Sequence, residues 1–236
     1  MARIDHTYAD GEALAVALAH ELATAVDAAL AQRRTALLAL AGGRTPLPAY
    51  RALAARWRER DDAARIVLMP TDDRCVPHDH PSSNVGELRA IFKDTDVRIE
   101  ALTVANGDPA RSERYARAML ADHRGEFDAV VLGMGQDAHT ASLFPGAAQL
   151  AMALDPATDV EALRVDPDPL PPEAPFPRIS LTAARLRRAR VLHLAVTGEA
   201  KRAVLARAID DADAMSRPIA ALLHAPGAAV HVHWSP

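Results

Sequence analysis

Four short polar stretches carry residue types able to do chemistry. The richest runs Gly133-Met134-Gly135-Gln136-Asp137-Ala138-His139-Thr140. An imidazole titrates at ~6.5, so His139, held near the Asp137 carboxylate on a glycine-rich loop, suits a general base. A second stretch begins Asp72-Asp73-Arg74 and ends Ser82-Ser83-Asn84. A carboxylate pair beside an arginine can orient hydroxyls or a base; the plain alternative is a solvated ion pair. The third is Ala41-Gly42-Gly43-Arg44-Thr45-Pro46. Paired glycines let the backbone approach a ligand closely, and the free N–H groups of a helix start attract anions. Gly42, Gly43, Arg44 and Thr45 are thus phosphate candidates, against an ordinary strand-to-helix turn. The fourth combines Arg178 with Lys201, which follows Thr197-Gly198-Glu199-Ala200. A lysine in the first turn of a helix opposes the helix dipole, and a bound anion would compensate. For both residues the alternative is an exposed basic side chain.

Each stretch follows a segment that reads as a buried strand, or that strand's closing loop. Leu37–Leu40, Ile66–Met69, Phe127–Leu132 and Val191–Val196 are short apolar runs with glycine or proline stops. Further strands are expected around Ile179–Leu181 and over Val230–Trp234. Leu14, Leu18, Leu22, Val26 and Leu30 recur every four residues and mark a helix. Helices are also expected over Pro46–Arg60, around Leu88 and Ile91 behind a Ser82 or Ser83 cap, over Pro109–Asp122, through Lys201 and Leu205, and at Ile219–Leu223. Asp155 to Pro177, with Pro167, Pro169, Pro171, Pro172, Pro175 and Pro177, reads as a long irregular excursion. The alternation of strand and helix implies an α/β fold: a Rossmann-like three-layer sandwich on a mostly parallel sheet. In such a sheet the strand-to-helix loops share one rim, where ligands bind. With no internal repeat and no linker, residues 1–236 read as a single domain.

Composition narrows the function classes. Half of the 236 residues are hydrophobic and the formal net charge is -4, which supports a sizeable core and argues against a nucleic-acid or anionic-membrane binder. Cys75 is the one cysteine, so no intrachain disulfide forms and a reducing compartment is favoured. The N-terminus lacks the apolar run of a signal peptide, and no uninterrupted apolar stretch is long enough to span a bilayer; a cytoplasmic protein is expected. His78 and His80 stand two apart without other placed ligands and read as loop residues rather than metal ligands. Gly133, Gly135 and Ala138 match a dinucleotide fingerprint in spacing. Pro145-Gly146 interrupts the helix that fingerprint needs, however, and no second strand ends in a ribose-binding acid.

Taken together, the four stretches resemble the 6-phosphogluconolactonase family, from near the start of the chain to near its end. Gly133 to Pro145 looks like the family's Gly-x-Gly-x-Asp-Gly-His-Thr-Ala-Ser-Leu-Phe-Pro motif. Asp72 to Asn84 is similar to its Asp-Glu-Arg-x-Val-Pro…Ser-Asn motif, and Gly42 to Pro46 to its Gly-Gly-x-Thr-Pro phosphate loop. Pro177 to Thr182 and Gly198 to Lys201 resemble its Pro-x-Arg-Ile-Ser/Thr-Leu-Thr and Gly-x-x-Lys elements. The resemblance implies a sheet related to those of glucosamine-6-phosphate deaminases and ribose-5-phosphate isomerases. It further implies hydrolysis of 6-phospho-D-glucono-1,5-lactone in the oxidative pentose phosphate pathway, without metal or cofactor, by a monomer or weak homodimer. On that basis His139 is the general base, Asp72, Arg74 and Asp137 surround the reacting centre, and Gly43, Arg178 and Lys201 hold the phosphate. The sequence departs from the family pattern at Ala41, Arg44, Asp73 and Ala138, where Ser, a small polar residue, Glu and Gly are usual. A deaminase or isomerase on the same fold is the nearest alternative, but its loop carries a Glu shortly after the histidine, where this chain reads Ser142-Leu143-Phe144-Pro145. A sugar-phosphate-binding regulator without catalysis is the other.

Overall fold

The computed structural model describes residues 3–33, 35–171, 174–224, 226 and 229–236; Pro172 of the expected excursion lies outside them. In chain order the elements are β1 (Arg3–Thr7), α1 (Gly11–Gln32), β2 (Ala36–Leu40), α2 (Leu47–Trp57), β3 (Ile66–Pro70), β4 (Asp72–Arg74), α3 (Asn84–Ile91), β5 (Arg98–Ile99) and α4 (Pro109–Ala121). They continue with β6 (Ala129–Leu132), α5 (Leu150–Leu154), β7 (Ala162–Val165), β8 (Arg178–Leu181), α6 (Ala183–Arg187), β9 (Val191–Thr197), α7 (Glu199–Asp210), α8 (Ala220–Leu223) and β10 (Ala229–Ser235).

Seven strands form one sheet in the order β1-β10-β9-β6-β2-β3-β5, and every pairing in it is parallel. Period-two alternation feeds two cores. Leu38, Leu40, Ile66, Leu68, Ala129 and Val131 pack with α1, α2 and α3 on one face. Ala39, Met69, Val130, Leu132, Leu192 and Leu194 pack with α4, α7 and α8 on the other. That explains the unbroken apolar runs of the strands, which are buried on both faces. From β2 the chain proceeds outward through β3 to β5, and from β6 it proceeds the other way through β9 to β10. The reversal between β2 and β6 is a topological switch point, where the loops after neighbouring strands diverge and leave a crevice.

Helix α1 shows how pattern becomes packing. Asp10 caps it by accepting the Ala13 N–H at 2.8 Å, and Leu14, Leu18, Leu22 and Val26 are wholly buried. Each such burial contributes roughly 1.5–3 kcal/mol. By length and composition alone the helix is apolar enough to cross a membrane, although Glu12, Glu21 and Asp27 interrupt its apolar run. Its apolar stripe is used within the fold instead, against the sheet and α2.

The structure corrects the excursion after Asp155. That segment contains β7, which pairs antiparallel with β8, and β8 pairs antiparallel with β4. The resulting three-stranded sheet sits beside the main one and carries Asp72, Arg74 and Arg178.

Candidate active site

The loops after β9, β6, β2 and β3, four adjacent strands, surround a cavity of about 220 Å³. Its walls include Gly42 to Pro46, Asp72, Arg74, Asn84, Gly133 to Gly135, His139 and Lys201. Four sequence stretches distant along the chain therefore meet because the sheet order places their strands side by side.

The loop after β6 is tied to itself. The Gly135 N–H donates to the His139 carbonyl at 2.9 Å, and the Ala138 N–H to the Gly135 carbonyl at 3.1 Å. Thr140 Oγ1 donates to the Gly133 carbonyl at 2.9 Å. This fold-back forces Ala138 to a φ of 63°, a region that costs a side-chain-bearing residue roughly 1–2 kcal/mol. It also aims Asp137 at its neighbour: Oδ1 lies 2.5 Å from His139 Nδ1 and 3.2 Å from the His139 N–H. Phe144 stacks on the imidazole with ring centroids 4.3 Å apart. With Nδ1 held by the carboxylate, Nε2 has no partner among the described residues, the condition for accepting a proton from a bound molecule. Burial pushes the Asp137 carboxyl up, but the hydrogen bond and charge of His139 outweigh it and hold the group below its ordinary range.

The loop after β3 supplies the opposite wall. Asp72 Oδ2 accepts the Ser142 hydroxyl at 2.5 Å, and Thr71 Oγ1 donates to Oδ1 at 3.2 Å. Arg74 donates to the Ser82 carbonyl at 2.9 Å and to Asn84 Oδ1 at 3.0 Å. Asn84 Nδ2 in turn donates to the Asp72 carbonyl at 2.7 Å. Asp73 faces away from the cavity. It is fully buried and accepts the N–H groups of Arg74, Asn84 and Val85. Burial raises its pKa to about 6 against that backbone support. One aspartate of the pair thus faces the site and the other organises the loop behind it.

Gly42 and Gly43 line the third wall. A side chain at Gly42 would strike Asn84, whose Oδ1 would be 2.2 Å from the added Cβ, and Gly43 has a φ of 93°. Arg44 and Lys201 flank this turn. Burial lowers the Lys201 pKa, and the charge of Arg44 lowers it further against the opposing pull of Asp137. Two cations share a concave wall with a helix start, an arrangement that favours a bound anion. Thr45 Oγ1 lies 3.3 Å from Thr197 Oγ1 and joins this wall to the end of β9.

Arg178 is placed differently from the sequence expectation. It is 3 % exposed and donates to the carbonyls of Ala174 and Phe176. Its guanidinium lies 4.7 Å from the Phe144 ring centroid, and it does not line the cavity. His78 and His80 are loop fixtures. His78 Nε2 is 3.0 Å from the Thr103 carbonyl, and the Ser82 N–H donates to His80 Nδ1. Sequence reasoning passed over Asn84 and Ser142 as site residues, although both stand in the two richest motifs.

The family model for glucosamine-6-phosphate isomerases/6-phosphogluconolactonase matches residues 9–234. The chain belongs to that family. A 6-phosphogluconolactonase of Pseudomonas putida is 36% identical over 235 residues, covering 98% of this chain and 92% of that protein. One from Pseudomonas aeruginosa is 37% identical over 224 residues, covering 93% and 89%. The crystal structure of a 6-phosphogluconolactonase from Shewanella baltica superposes with a TM-score of 0.90 at 28% identity, covering 99% of this chain and 98% of that one. A monomeric glucosamine-6-phosphate deaminase shares the fold, with a TM-score of 0.77 at 17% identity. Where the motif this chain resembles carries glycine, the fold-back of the His139 loop is made with alanine at a positive φ.

Proposed function

We propose that this protein hydrolyses 6-phospho-D-glucono-1,5-lactone to 6-phospho-D-gluconate, the reaction of the oxidative pentose phosphate pathway, with His139 as general base. The observation that carries this reading is the shared cavity: an imidazole oriented by Asp137 faces a wall carrying Arg44, Lys201 and the Gly42-Gly43 turn. The phosphate sits against that wall by charge-assisted bonds and fixes the lactone carbonyl near His139. His139 Nε2 takes a proton from water as the water oxygen bonds to C1. Arg74 or the backbone N–H groups near Gly43 stabilise the oxyanion. Collapse breaks the bond from C1 to the ring oxygen, which takes the proton back from the imidazolium. The product acid then ionises to solvent. Asp72, held by Ser142, orients hydroxyls at the reacting end. Arg178 supports this arrangement from behind, through Phe144, which stacks on His139. The step needs no Lewis acid, since a lactone carbonyl is already electrophilic. We read residues 1–236 as one cytoplasmic domain.

The test is His139→Ala with lactone turnover corrected for spontaneous hydrolysis. Loss of general-base catalysis should lower kcat by ~10²–10⁴ while 6-phosphogluconate still binds. Near-normal turnover by the purified variant overturns the base assignment. Ammonia release from glucosamine 6-phosphate by the native chain, without lactone turnover, overturns the reaction class.

A further inference from the structure

A second constellation of reactive side chains lies away from the cavity, on the face of the main sheet covered by α1. Parallel register aligns His6 of β1 with His233 of β10, and His231 of β10 with His193 of β9. His231 and His233 are two apart on one strand, so all four imidazoles project from the same face. Neighbouring positions on that face, Ala195 and Val131, belong to an apolar core. Glu21 of α1 reaches down to the four rings.

The contacts are close and converge. His6 Nε2 lies 3.2 Å from His231 Nδ1, which lies 3.2 Å from Glu21 Oε2. Glu21 Oε2 is also 3.9 Å from His233 Nε2 and 3.3 Å from His193 Nδ1. One ligand atom from each of His6, Glu21, His231 and His233 lies within 4.8 Å of the others. His231 Nδ1 stands between His6 Nε2 and Glu21 Oε2, and His193 Nδ1 between Glu21 Oε2 and His233 Nε2. Each of these two nitrogens carries either one N–H or one lone pair and faces two polar atoms. His193 is 2 % exposed, and its other nitrogen, Nε2, is buried without a partner. A cation among the four groups would engage all their lone pairs at once. Ligand atoms around a tetrahedral zinc with bonds of ~2.0–2.1 Å stand ~3.3 Å apart; two of the separations present are 3.2 Å, and the wider ones, up to 4.8 Å, would close on the ion.

We propose that His6, Glu21, His231 and His233 bind one divalent transition-metal ion of the zinc class, which clamps the edge strand β1 and helix α1 to β10. Three imidazoles and one carboxylate are a donor set suited to a borderline-soft ion rather than to calcium or magnesium. The outer contacts have the form such sites use. The Tyr8 hydroxyl is 2.9 Å from His233 Nδ1, which leaves Nε2 for the ion; a partner of this kind fixes ring orientation and tautomer. His6, Glu21 and His231 are half-buried, so the ion has a route in from solvent. None of the four residues lines the catalytic cavity, so the role is structural.

The experiment uses tag-free full-length protein, stripped with a chelator and titrated calorimetrically with Zn²⁺, with Co²⁺ as a spectroscopic probe. The expected result is one Zn²⁺ per chain, a higher Tm with the ion bound, and a Co²⁺ absorption of tetrahedral type. His6→Gln combined with His231→Gln should weaken binding by ~10²-fold or more and leave lactone turnover unchanged. Glu21→Gln provides a second, milder variant should the double variant fail to fold. His139→Ala should bind the ion as the native chain does. Absence of stoichiometric binding by the native chain, or binding untouched by the Glu21 and histidine variants, overturns the proposal.

Discussion

A methyl group added at Gly135 would lie 2.2 Å from His139 Nδ1 and 2.5 Å from Asp137 Oδ1. The hydrogen-bonded pair occupies the space that any other residue's Cβ would take. Gly135→Ala must therefore push the imidazole off its carboxylate or open the loop. Because the pair orients the base and makes no phosphate contact, kcat should fall by ~10–10², with KM little changed. Steady-state kinetics of a variant with native circular dichroism checks this. An unchanged kcat would mean that the carboxylate contact does not govern the base.

Lys201 and Arg178 were expected to share the phosphate, and the structure separates them. Lys201 lines the cavity and Arg178 lies behind Phe144. Losing a charge-assisted bond of roughly 1.5–3 kcal/mol should raise KM for Lys201→Ala by ~10–10², leaving kcat near native. Arg178→Met removes a buried guanidinium that supports the Phe144 ring, and should lower kcat and Tm rather than raise KM. A KM effect from the Arg178 variant equal to that of Lys201 would place its side chain on the phosphate after all.

What could be read in the sequence followed burial. Strands β2, β3, β6 and β9 are covered on both faces, so their apolar runs announce them, and the loops they launch carry the motifs. Strand β1 escaped notice because Arg3-Ile4-Asp5-His6-Thr7 lies at the sheet edge with no residue buried. Strand β7 was hidden by the surrounding prolines; its pairing to β8 is a tertiary event. The same limit applied to Arg178. Its motif indicated a functional neighbourhood, but only the antiparallel register of β4 with β8, which sets Arg74 opposite Arg178, fixes which guanidinium faces the cavity. Of the histidine cluster only His231 and His233 stand close in sequence. Parallel register brings His6 and His193 beside them, and the packing of α1 on the sheet adds Glu21.

Ala138 holds a φ of 63° in the loop that carries the base. Glycine there removes a side-chain strain of roughly 1–2 kcal/mol, offset in part by the greater freedom glycine has in the unfolded chain, roughly 0.5–1 kcal/mol. Ala138→Gly should therefore raise Tm, by up to about 6 °C for a net gain of up to ~1.5 kcal/mol, with the Ile219 N–H still donating to the residue 138 carbonyl, as it does now at 3.1 Å. Thermal melts of the two proteins decide the matter; a lower Tm would show that the unfolded-state cost dominates.

Asp73 makes stability depend on pH in the sense opposite to a salt-bridged carboxylate. Its pKa rises from 3.8 to about 6 on folding because burial disfavours the charge more than three backbone N–H groups support it. The folded state thus holds more protons than the unfolded state between those values, and stability falls as pH rises through that window. The contribution is fully present below the unfolded value and lost above the folded one, a change of roughly 3 kcal/mol. Asp73→Asn cannot titrate. It keeps an oxygen for the Arg74 and Asn84 N–H groups but turns an amide against the Val85 N–H, a cost that does not vary with pH. Urea unfolding of both proteins at about pH 4 and about pH 7 should show the native chain's advantage over the variant shrinking by most of that amount at the higher pH. A difference independent of pH would mean that Asp73 is ionised throughout, with its backbone donors fully offsetting the cost of burial.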